Sequence, residues 1–332
     1  MKPRLLAWLA CPICRGALSL ESTRVEDDEV HEGTLRCDTC RRTYPITRGI
    51  PRLLPEAPAG TAAATAERFG YEWTRFDEIR PEYEEQFLGW IAPVTPEAFR
   101  GKRVLDAGCG KGRHLRVVAG FGAADVIGVE LGPAVDVAAR NTADLPNVHV
   151  VQGDLTRPPI ASGSMDLVYS VGVLHHLAEP VAGFRALTPL LVGGGRLVAW
   201  LYGREGNRWL LALLEPVRTL TRRMPLRLVS ALAWMPTVPL VIAIRTLYGP
   251  ARSRRWLRAL LPYQSYLSDL APFPFREVHS IVFDQLLAPV AHYMRREEVE
   301  RYFGAAGLRV DSLRWHHANS WAASGTLARR VE

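Results

Sequence analysis

Three alternating glycines follow a short apolar strand and constrain the fold of this chain more than any other feature. The stretch reads Arg103-Val-Leu-Asp-Ala-Gly-Cys-Gly-Lys-Gly-Arg-His114, and a helical pattern of apolar residues begins directly after it. A strand that turns on glycines into a helix brings backbone N–H groups close to a ligand. A dinucleotide fingerprint needs its third glycine at position 113, where this chain has Arg113. The spacing therefore weakens a dinucleotide-binding interpretation.

The two strand patterns after the glycine loop each end in an acidic residue. The first has Glu130 at its tip, about 20 residues beyond the loop, as expected of a carboxylate that accepts ribose hydroxyls. The second ends in Asp154, and Leu155 follows it. Ligands of open α/β sheets bind at the carboxyl ends of the strands. Both acids are therefore candidate ligand-binding residues.

Four more strand patterns continue the alternation with helices. The fourth strand of the series, residues 165–172, contains Ser170. A fifth strand is expected at residues 196–202, and two further strands at residues 307–315 and 325–330. Strands that alternate with helical patterns predict an α/β fold.

Taken in order, these features resemble the class I S-adenosylmethionine-dependent methyltransferases, and methyltransferase type 11 in particular. The form D-x-G-x-G-x-G resembles their motif I, whose loop wraps the methionine part of the cofactor. The resemblance implies a Rossmann-like sheet of seven strands and S-adenosylmethionine as the cofactor. In the family the first strand-end acid binds ribose, the second accepts from the adenine amino group, and its neighbour packs on the ring. The cofactor-binding residues implied here are Asp106, Gly108, Gly110, Gly112, Glu130, Leu131, Asp154, Leu155 and Ser170.

The fourth strand runs into Val173-Leu-His-His-Leu177, which resembles motif IV of the same family. Methyl transfer from a sulfonium is an in-line displacement, so the protein mainly positions the acceptor and, for an O–H or activated C–H group, removes a proton. Histidine titrates near neutrality, which makes His175 and His176 the candidate catalytic residues. Local packing is the alternative role for both.

Four of the five cysteines form two C-x2-C pairs, and the fifth, Cys109, lies in the glycine loop. Each pair presents two thiolates to one metal ion, and two pairs close a tetrahedral site. The expected zinc ligands are Cys11, Cys14, Cys37 and Cys40. Because all four positions are filled by protein, the zinc is expected to be structural, with redox disulfides as the minor alternative.

The segment after the second pair reads Tyr44-Pro-Ile-Thr-Arg-Gly-Ile-Pro51. Together with the cysteine pairs, it resembles the zinc-ribbon family of methyltransferase activator proteins over residues 1–55. A unit this small buries too little apolar surface to fold alone, which is why the resemblance implies that zinc holds it together.

The positive charge of the chain is concentrated in one segment. The formal net charge is +7, whereas Arg204–Arg258 contains eleven arginines and two acids, so this segment carries +9 and the remainder −2. It also contains an uncharged run, residues 228–244, in which Pro236 and Pro239 are expected to break a helix. A helical substrate lid is favoured, ahead of an interfacial helix pair on an anionic membrane and a basic face for RNA.

The predicted organisation has five parts. They are a zinc ribbon at 1–55, a linker with lid helices at 56–100, a methyltransferase core at 101–202, a helical basic and apolar insertion at 203–275, and the C-terminal part of the methyltransferase domain at 276–332.

The function favoured by the sequence is an S-adenosylmethionine-dependent methyltransferase that acts on a small, apolar acceptor at oxygen or carbon. Its expected location is the cytoplasm, with peripheral membrane contact through residues 203–258 as an open possibility. Two alternatives are an rRNA or tRNA methyltransferase, in which the ribbon and the insertion hold RNA, and a non-catalytic cofactor-binding activator protein. The sequence determines neither the acceptor nor the oligomeric state.

Overall fold

The computed structural model describes residues 1–251 and 261–329 and contains two sheets. The N-terminal sheet is antiparallel and consists, in spatial order, of β1 (Leu18–Glu26), β2 (Glu29–Cys37), β3 (Thr43–Thr47) and β4 (Ile50–Pro51). The large sheet consists of β5 (Arg103–Ala107), β6 (Asp125–Glu130), β7 (Val148–Gln152), β8 (Met165–Val171), β9 (Leu191–Tyr202), β10 (Leu308–His316) and β11 (Ser320–Leu327).

The large sheet has the strand order β10-β11-β9-β8-β5-β6-β7. Its first five strands in the chain run parallel, and β11 lies antiparallel between β9 and β10. The central strand β5 is buried at Val104 and Leu105, on both of its faces, as expected of a parallel strand covered by helices. The predicted Rossmann-like methyltransferase sheet of seven strands is confirmed.

Twelve α-helices are described in residues 1–251 and 261–329. Five belong to the lid region and the core: α1 (Gly60–Arg75), α2 (Glu82–Ile91), α3 (Arg113–Gly120), α4 (Ala134–Asn141) and α5 (Pro180–Leu187). The remaining seven are α6 (Arg208–Thr221), α7 (Leu226–Leu232), α8 (Trp234–Ala243), α9 (Gly249–Ala251), α10 (Gln264–Asp269), α11 (Phe275–Leu287) and α12 (Arg296–Ala305).

The N-terminal sheet packs on the edge of the large sheet. After β4 the chain pairs with the edge strand β7, because Arg52 bridges Gln152 and the Leu53 N–H donates to the Gln152 carbonyl at 2.9 Å. Leu53 also shares one hydrophobic cluster with Val129 and Ile160 of the core. The ribbon thus covers a strand edge that would otherwise offer unpaired backbone groups.

The four ribbon cysteines converge on one point. Their sulfur atoms all lie within 4.8 Å of one another, with Cys11 Sγ 3.7 Å from Cys40 Sγ and Cys14 Sγ 3.4 Å from Cys37 Sγ. Thiolates that surround zinc tetrahedrally at about 2.3 Å are roughly 3.8 Å apart, which these separations approach. The predicted structural zinc site is confirmed.

The expectation that Pro236 and Pro239 break the helix is wrong. One helix runs from Leu226 to Tyr248 over 23 residues, through α7, α8 and a π-helical turn. Pro239 removes one backbone hydrogen bond, but the inner face of this helix packs against α11 through buried residues such as Val229. By length and composition this is the one helix among the described residues that could cross a membrane, since an 18-residue stretch of it has a mean hydropathy of 1.7, and 33% of that stretch is buried.

The last strand begins earlier than the sequence pattern indicated. β11 starts at Ser320, not at residue 325, because the chain turns back within three residues after His316. The end of the predicted strand, residue 330, lies outside the described residues, as do Arg252, Arg254, Arg255 and Arg258 of the basic segment.

Replacing Cys37 by serine should remove zinc from the purified protein and lower its melting temperature by about 5–10 °C, since a structural zinc site contributes folding free energy. Metal content by atomic absorption and scanning calorimetry measure the two effects. Cys109→Ser is the matched control, because Cys109 is buried in the glycine loop. A Cys37→Ser protein that keeps a full zinc equivalent would contradict the assignment.

Candidate cofactor and acceptor site

A cavity of about 500 Å³ opens at the carboxyl ends of the parallel strands. The glycine loop and the tips of β6 and β7 line one side of it, and Trp73 of α1 covers the loop. Side chains of the insertion complete the roof, among them Leu214, Leu240 and Tyr266. These contacts support the helical-lid interpretation of the insertion.

The glycine loop needs its glycines for two reasons. Gly108, Gly110 and Gly112 all have positive φ, at 96°, 52° and 83°. A Cβ on Gly108 would lie 2.5 Å from the Val173 side chain, and one on Gly112 would lie 3.1 Å from the Ala138 Cα. At these positions a side chain would be excluded both by the left-handed backbone and by lack of room. Helix α3 begins directly after Gly112, so its N-terminus lies at the loop.

Glu130 is held at the tip of β6 by two backbone groups. Its Oε2 accepts from the Gly110 N–H at 3.1 Å and its Oε1 from the Gly132 N–H at 2.8 Å. Burial raises the pKa of this carboxyl above its ordinary value, and the two N–H groups oppose that shift. A carboxylate oriented in this way in a cavity wall fits the two neighbouring hydroxyls of a ribose.

The tip of β7 completes the cofactor side of the cavity. Asp154, Leu155 and Leu131 all line it. Asp154 Oδ1 accepts from the backbone N–H of Thr156 at 2.8 Å and from its hydroxyl at 2.9 Å, which fixes the orientation of the carboxyl group. Six of the candidate cofactor-binding residues line one cavity and together fit a nucleoside cofactor: Gly108, Gly110, Glu130, Leu131, Asp154 and Leu155.

Three other residues of the predicted cofactor set lie outside the cavity lining. Asp106 is 1% exposed, and burial raises its pKa to about 8. The Ser170 hydroxyl donates to the Ala107 carbonyl at 2.8 Å and so links β8 to β5 behind the cavity. Gly112 shapes the turn into α3. All three support the loop from within the fold.

The two histidines lie at the end of β8 but differ in their access to the cavity. His175 is fully buried outside the lining, neither ring nitrogen has a hydrogen-bond partner within the described part of the chain, and burial lowers its pKa well below the ordinary value. His176 lines the cavity, its Nδ1 lies 2.6 Å from the Val290 carbonyl, and burial lowers its pKa to about 4. Both rings are therefore neutral, weak bases at pH 7.

Sequence reasoning missed the polar wall opposite the cofactor side. Helix α11 lines the cavity with Glu277, Ser280, Asp284 and Gln285, at spacings of three, four and one residues. The Ser280 hydroxyl donates to Glu72 Oε1 of α1 at 2.8 Å. A polar stripe at helical spacing within an apolar helix was the available signal.

Two cations of the glycine loop approach this wall. The Lys111 ammonium donates to the Phe76 carbonyl at 2.7 Å and to the Tyr83 hydroxyl at 2.8 Å, and burial lowers its pKa to about 8. The Arg113 guanidinium lies 3.9 Å from Glu277 and 5.3 Å from the centre of the Trp73 ring. The arginine that replaces a third dinucleotide glycine therefore lines the site, where it can attract an anionic group.

Family models match two parts of the chain. Residues 105–199 match the model described as a methyltransferase domain, and residues 2–49 match the Trm112p-like protein model. The tRNA U34 carboxymethyltransferase of Pseudomonas paraeruginosa is 40% identical over 183 residues, which cover 46% of this chain and 56% of that protein. The enzyme of the same name from Pseudomonas syringae pv. syringae is 30% identical over 218 residues, covering 59% and 63%. The chain therefore spans about three fifths of the length of these curated relatives.

Solved structures with a related fold are more distant. A complex that contains the Haloferax volcanii Trm112 methyltransferase activator is 14% identical with a TM-score of 0.48, covering 81% of this chain and 99% of that chain. The magnesium protoporphyrin IX methyltransferase from Synechocystis PCC 6803 with bound SAH is 15% identical with a TM-score of 0.46, covering 79% and 94%.

The relatives overturn two predictions made from the sequence. The expected small, apolar acceptor is wrong, because the first curated relatives are named as tRNA-modifying enzymes. The expected small-molecule partner is wrong for the same reason. The apolar side chains of the insertion form the roof of a cavity whose α11 wall is polar.

Glu130→Gln should weaken the binding of S-adenosylhomocysteine about 10- to 100-fold, because an amide loses the charge that strengthens hydrogen bonds from ribose hydroxyls. Titration calorimetry on the purified variants measures the dissociation constant. Asp144→Asn is the matched control, since Asp144 is an exposed acid paired with Arg116 on the surface. Unchanged affinity in the Glu130 variant would count against the ribose role.

Sequence, geometry and family matches agree on the two functional modules of the molecule. The cysteine cluster lies within the Trm112p-like match, and the glycine loop, Glu130 and Asp154 lie within the methyltransferase match. The chain therefore joins an N-terminal Trm112p-like zinc ribbon to a methyltransferase domain of the S-adenosylmethionine-dependent class.

Proposed function

We propose that this protein is a tRNA-modifying methyltransferase that alkylates a nucleoside of tRNA. The observation that carries the proposal is the 30–40% identity to tRNA U34 carboxymethyltransferases across the cofactor-binding part of the chain. The activity of the whole protein is stated as a proposal, because the matched region covers only 56–63% of the length of each relative. A cytoplasmic location belongs to the same proposal, since that is where tRNA is modified.

The cavity supports this function because it can hold a base that has left its stack. Proteins read RNA sequence mostly in single-stranded loops, where unstacked bases lie on aromatic side chains and are hydrogen-bonded along their edges. Phe69, Trp90, Trp200 and Tyr202 line the cavity, and the α11 stripe supplies polar groups beside them. Aromatic faces and a polar edge are the two features that a nucleobase needs.

The basic insertion supports a polyanionic partner. Arg222 and Arg223 lie in the turn between α6 and α7, Arg227 lies on α7 and Arg245 on the π-helical turn after α8, and all four are exposed. Exposed arginines on the segment that roofs the cavity would bind phosphates of an RNA chain whose nucleoside enters the cavity. The RNA interpretation, ranked last of three for this segment from the sequence, therefore stands beside the lid interpretation, because the segment that roofs the cavity also carries the exposed arginines.

Different residues bind the cofactor and orient the acceptor during the transfer. When bound, S-adenosylmethionine supplies a methyl group on a sulfonium centre, which is already activated for displacement. Glu130 and the glycine loop hold the nucleoside part of the cofactor, and Lys111 and Arg113 attract its carboxylate. The aromatic and polar walls orient the acceptor for in-line attack, and the helical roof excludes water.

Labelled S-adenosylmethionine should transfer its methyl label to bulk tRNA in the presence of the wild-type protein and not of Glu130→Gln. Scintillation counting of the separated RNA fractions measures transfer, and mass spectrometry of digested nucleosides identifies the modified one. Label that enters rRNA or a small molecule but not tRNA would refute the proposed acceptor. A protein that binds the cofactor and labels nothing would instead support a non-catalytic activator.

Replacing Arg223, Arg227 and Arg245 together by glutamine should weaken tRNA binding and flatten its salt dependence. Each lost phosphate contact should reduce the slope of log affinity against log salt by about 0.7. Filter binding at several salt concentrations measures the slope. Arg301→Gln with Arg309→Gln is the control, because these exposed arginines lie on α12 and β10, outside the insertion. Equal slopes for the two variants would contradict an RNA-binding insertion.

A further inference from the structure

Asp284 is oriented in the cavity but incompletely hydrogen-bonded. Its Oδ2 accepts from the Tyr202 hydroxyl at 3.2 Å, whereas its Oδ1 is buried and has no partner within the described residues. Asp284 also lines the cavity from the α11 side. A buried carboxylate oxygen without a donor is costly, so this atom requires a donor from a ligand or from water.

Tyr202 connects the Asp284 carboxylate to the end of the sheet where the histidine pair lies. It is the last residue of β9, and β9 lies beside β8, after which the histidine pair follows. The His175 ring packs against the Tyr202 ring with centroids 4.0 Å apart. The Gln285 amide donates to the Tyr202 hydroxyl oxygen at 3.1 Å, which leaves the hydroxyl proton for Asp284. The hydroxyl is thus fixed as the donor that orients Asp284.

We propose that Asp284 accepts the acceptor's proton through Oδ1 during transfer, and that Tyr202 is the positioning residue that orients its carboxylate. The inference rests on the proposed function in one respect only, that a protic group of the acceptor enters this cavity.

The step balances without any further reactant. As the acceptor atom forms its bond to the transferred carbon, the carbon–sulfur bond breaks and its electron pair stays on sulfur. The acceptor's N–H or O–H proton passes to Asp284 Oδ1 and leaves the neutral carboxyl to be deprotonated by solvent between turnovers. One bond to carbon forms, one breaks, and the sulfonium charge is lost as the proton is gained by the carboxylate.

The groups around Asp284 bring the pKa of its carboxyl close to neutral pH. Burial raises the pKa of Asp284 to about 6, opposed by the Tyr202 hydrogen bond and by the positive charges of Arg218 and Arg113. Tyr266 and Tyr293 also face it, and both remain neutral because burial raises their pKa values. A base whose pKa lies near the working pH is the efficient choice for proton transfer.

Two other titratable groups of the cavity, Glu72 and His176, suit this step less well. Burial and the charge of Asp284 raise the pKa of Glu72 well above its ordinary value, and Glu72 Oε1 already accepts a hydrogen bond from the Ser280 hydroxyl. His176, with a pKa lowered to about 4, is the weaker base. Asp284 thus takes the role that the sequence pattern had suggested for a histidine.

Asp284→Asn is the direct test, since the amide oxygen can still accept from Tyr202 but cannot take a proton. We expect kcat to fall about 10²- to 10⁴-fold, with the dissociation constant of S-adenosylhomocysteine within about twofold of wild type. The wild-type kcat should rise with pH through about 6 to a plateau, because the ionised carboxylate is the active form. The Asn variant should lose that rise. Glu300→Gln, an exposed acid on α12, is the matched control.

Tyr202→Phe separates positioning from packing. Loss of a hydrogen bond that favours the ionised form should move the midpoint of the pH profile upward, and kcat at the plateau should fall about 10-fold. A merely structural tyrosine would lower the rate without moving the midpoint, which would remove Tyr202 from the proposal. An Asp284→Asn protein with kcat within about threefold of wild type and the same pH profile would overturn the proposal as a whole.

Infrared spectroscopy keeps this inference separate from the identity of the acceptor. A pH titration of the wild-type complex with S-adenosylhomocysteine, minus that of Asp284→Asn, should show a carboxyl band that disappears between about pH 5 and 7. Failure to label tRNA alone would refute the proposed function but not this titration. Absence of the band change would overturn Asp284 as the base even if tRNA is labelled.

Discussion

The hydrogen bonds from the Gly110 and Gly132 N–H groups to Glu130 are the constraint on which the rest of the site depends. They join the turn after β5 to the tip of β6, so the two strands present one continuous surface to a ligand. The turn can follow this path only because Gly108 and Gly112 leave room for Val173 and Ala138. The opening glycines and the first acidic strand end therefore form one unit.

Burial, either around the cavity or within the sheet, accounts for most of the unusual acid–base behaviour. Desolvation is the largest cause of the raised pKa values of Glu72, Asp106, Glu130 and Asp284, and of the lowered pKa of Lys111. Burying a charged group away from water costs free energy unless the group is paired with an opposite charge or hydrogen-bonded. A cofactor that brings a positive sulfonium and hydroxyl donors into this cavity would relieve part of that cost, so the site is better matched to its ligands than to water.

The cofactor side could be predicted from the sequence because each of its residues lies at a strand end or in a glycine turn. Glu130 and Asp154 lie where the apolar pattern of a buried strand ends. The zinc site could be predicted in a similar way, because the spacing of the two C-x2-C pairs alone identifies Cys11 and Cys37 as ligands. The acceptor side could not be predicted in this way. Asp284 meets Tyr202 across 82 residues of chain, and only the packing of α11 against the sheet brings them together. The predicted helix break at Pro236 and Pro239 was wrong for a related reason. The tertiary contacts of α8 outweigh the one backbone hydrogen bond that is lost, and such contacts are not visible in the local sequence.

The apolar insertion illustrates why composition alone does not identify an acceptor. Leu214 and Leu240 close the cavity from above, while Asp284 and Gln285 face it from α11. An apolar roof sets the local dielectric and excludes water, whereas hydrogen-bonding groups on the opposite wall decide which ligand is held. A polar, aromatic-edged acceptor such as a nucleobase satisfies both walls, because its faces are apolar and its edge carries donors and acceptors. The apolar roof is therefore compatible with an RNA base that enters the cavity once the helices of the roof part.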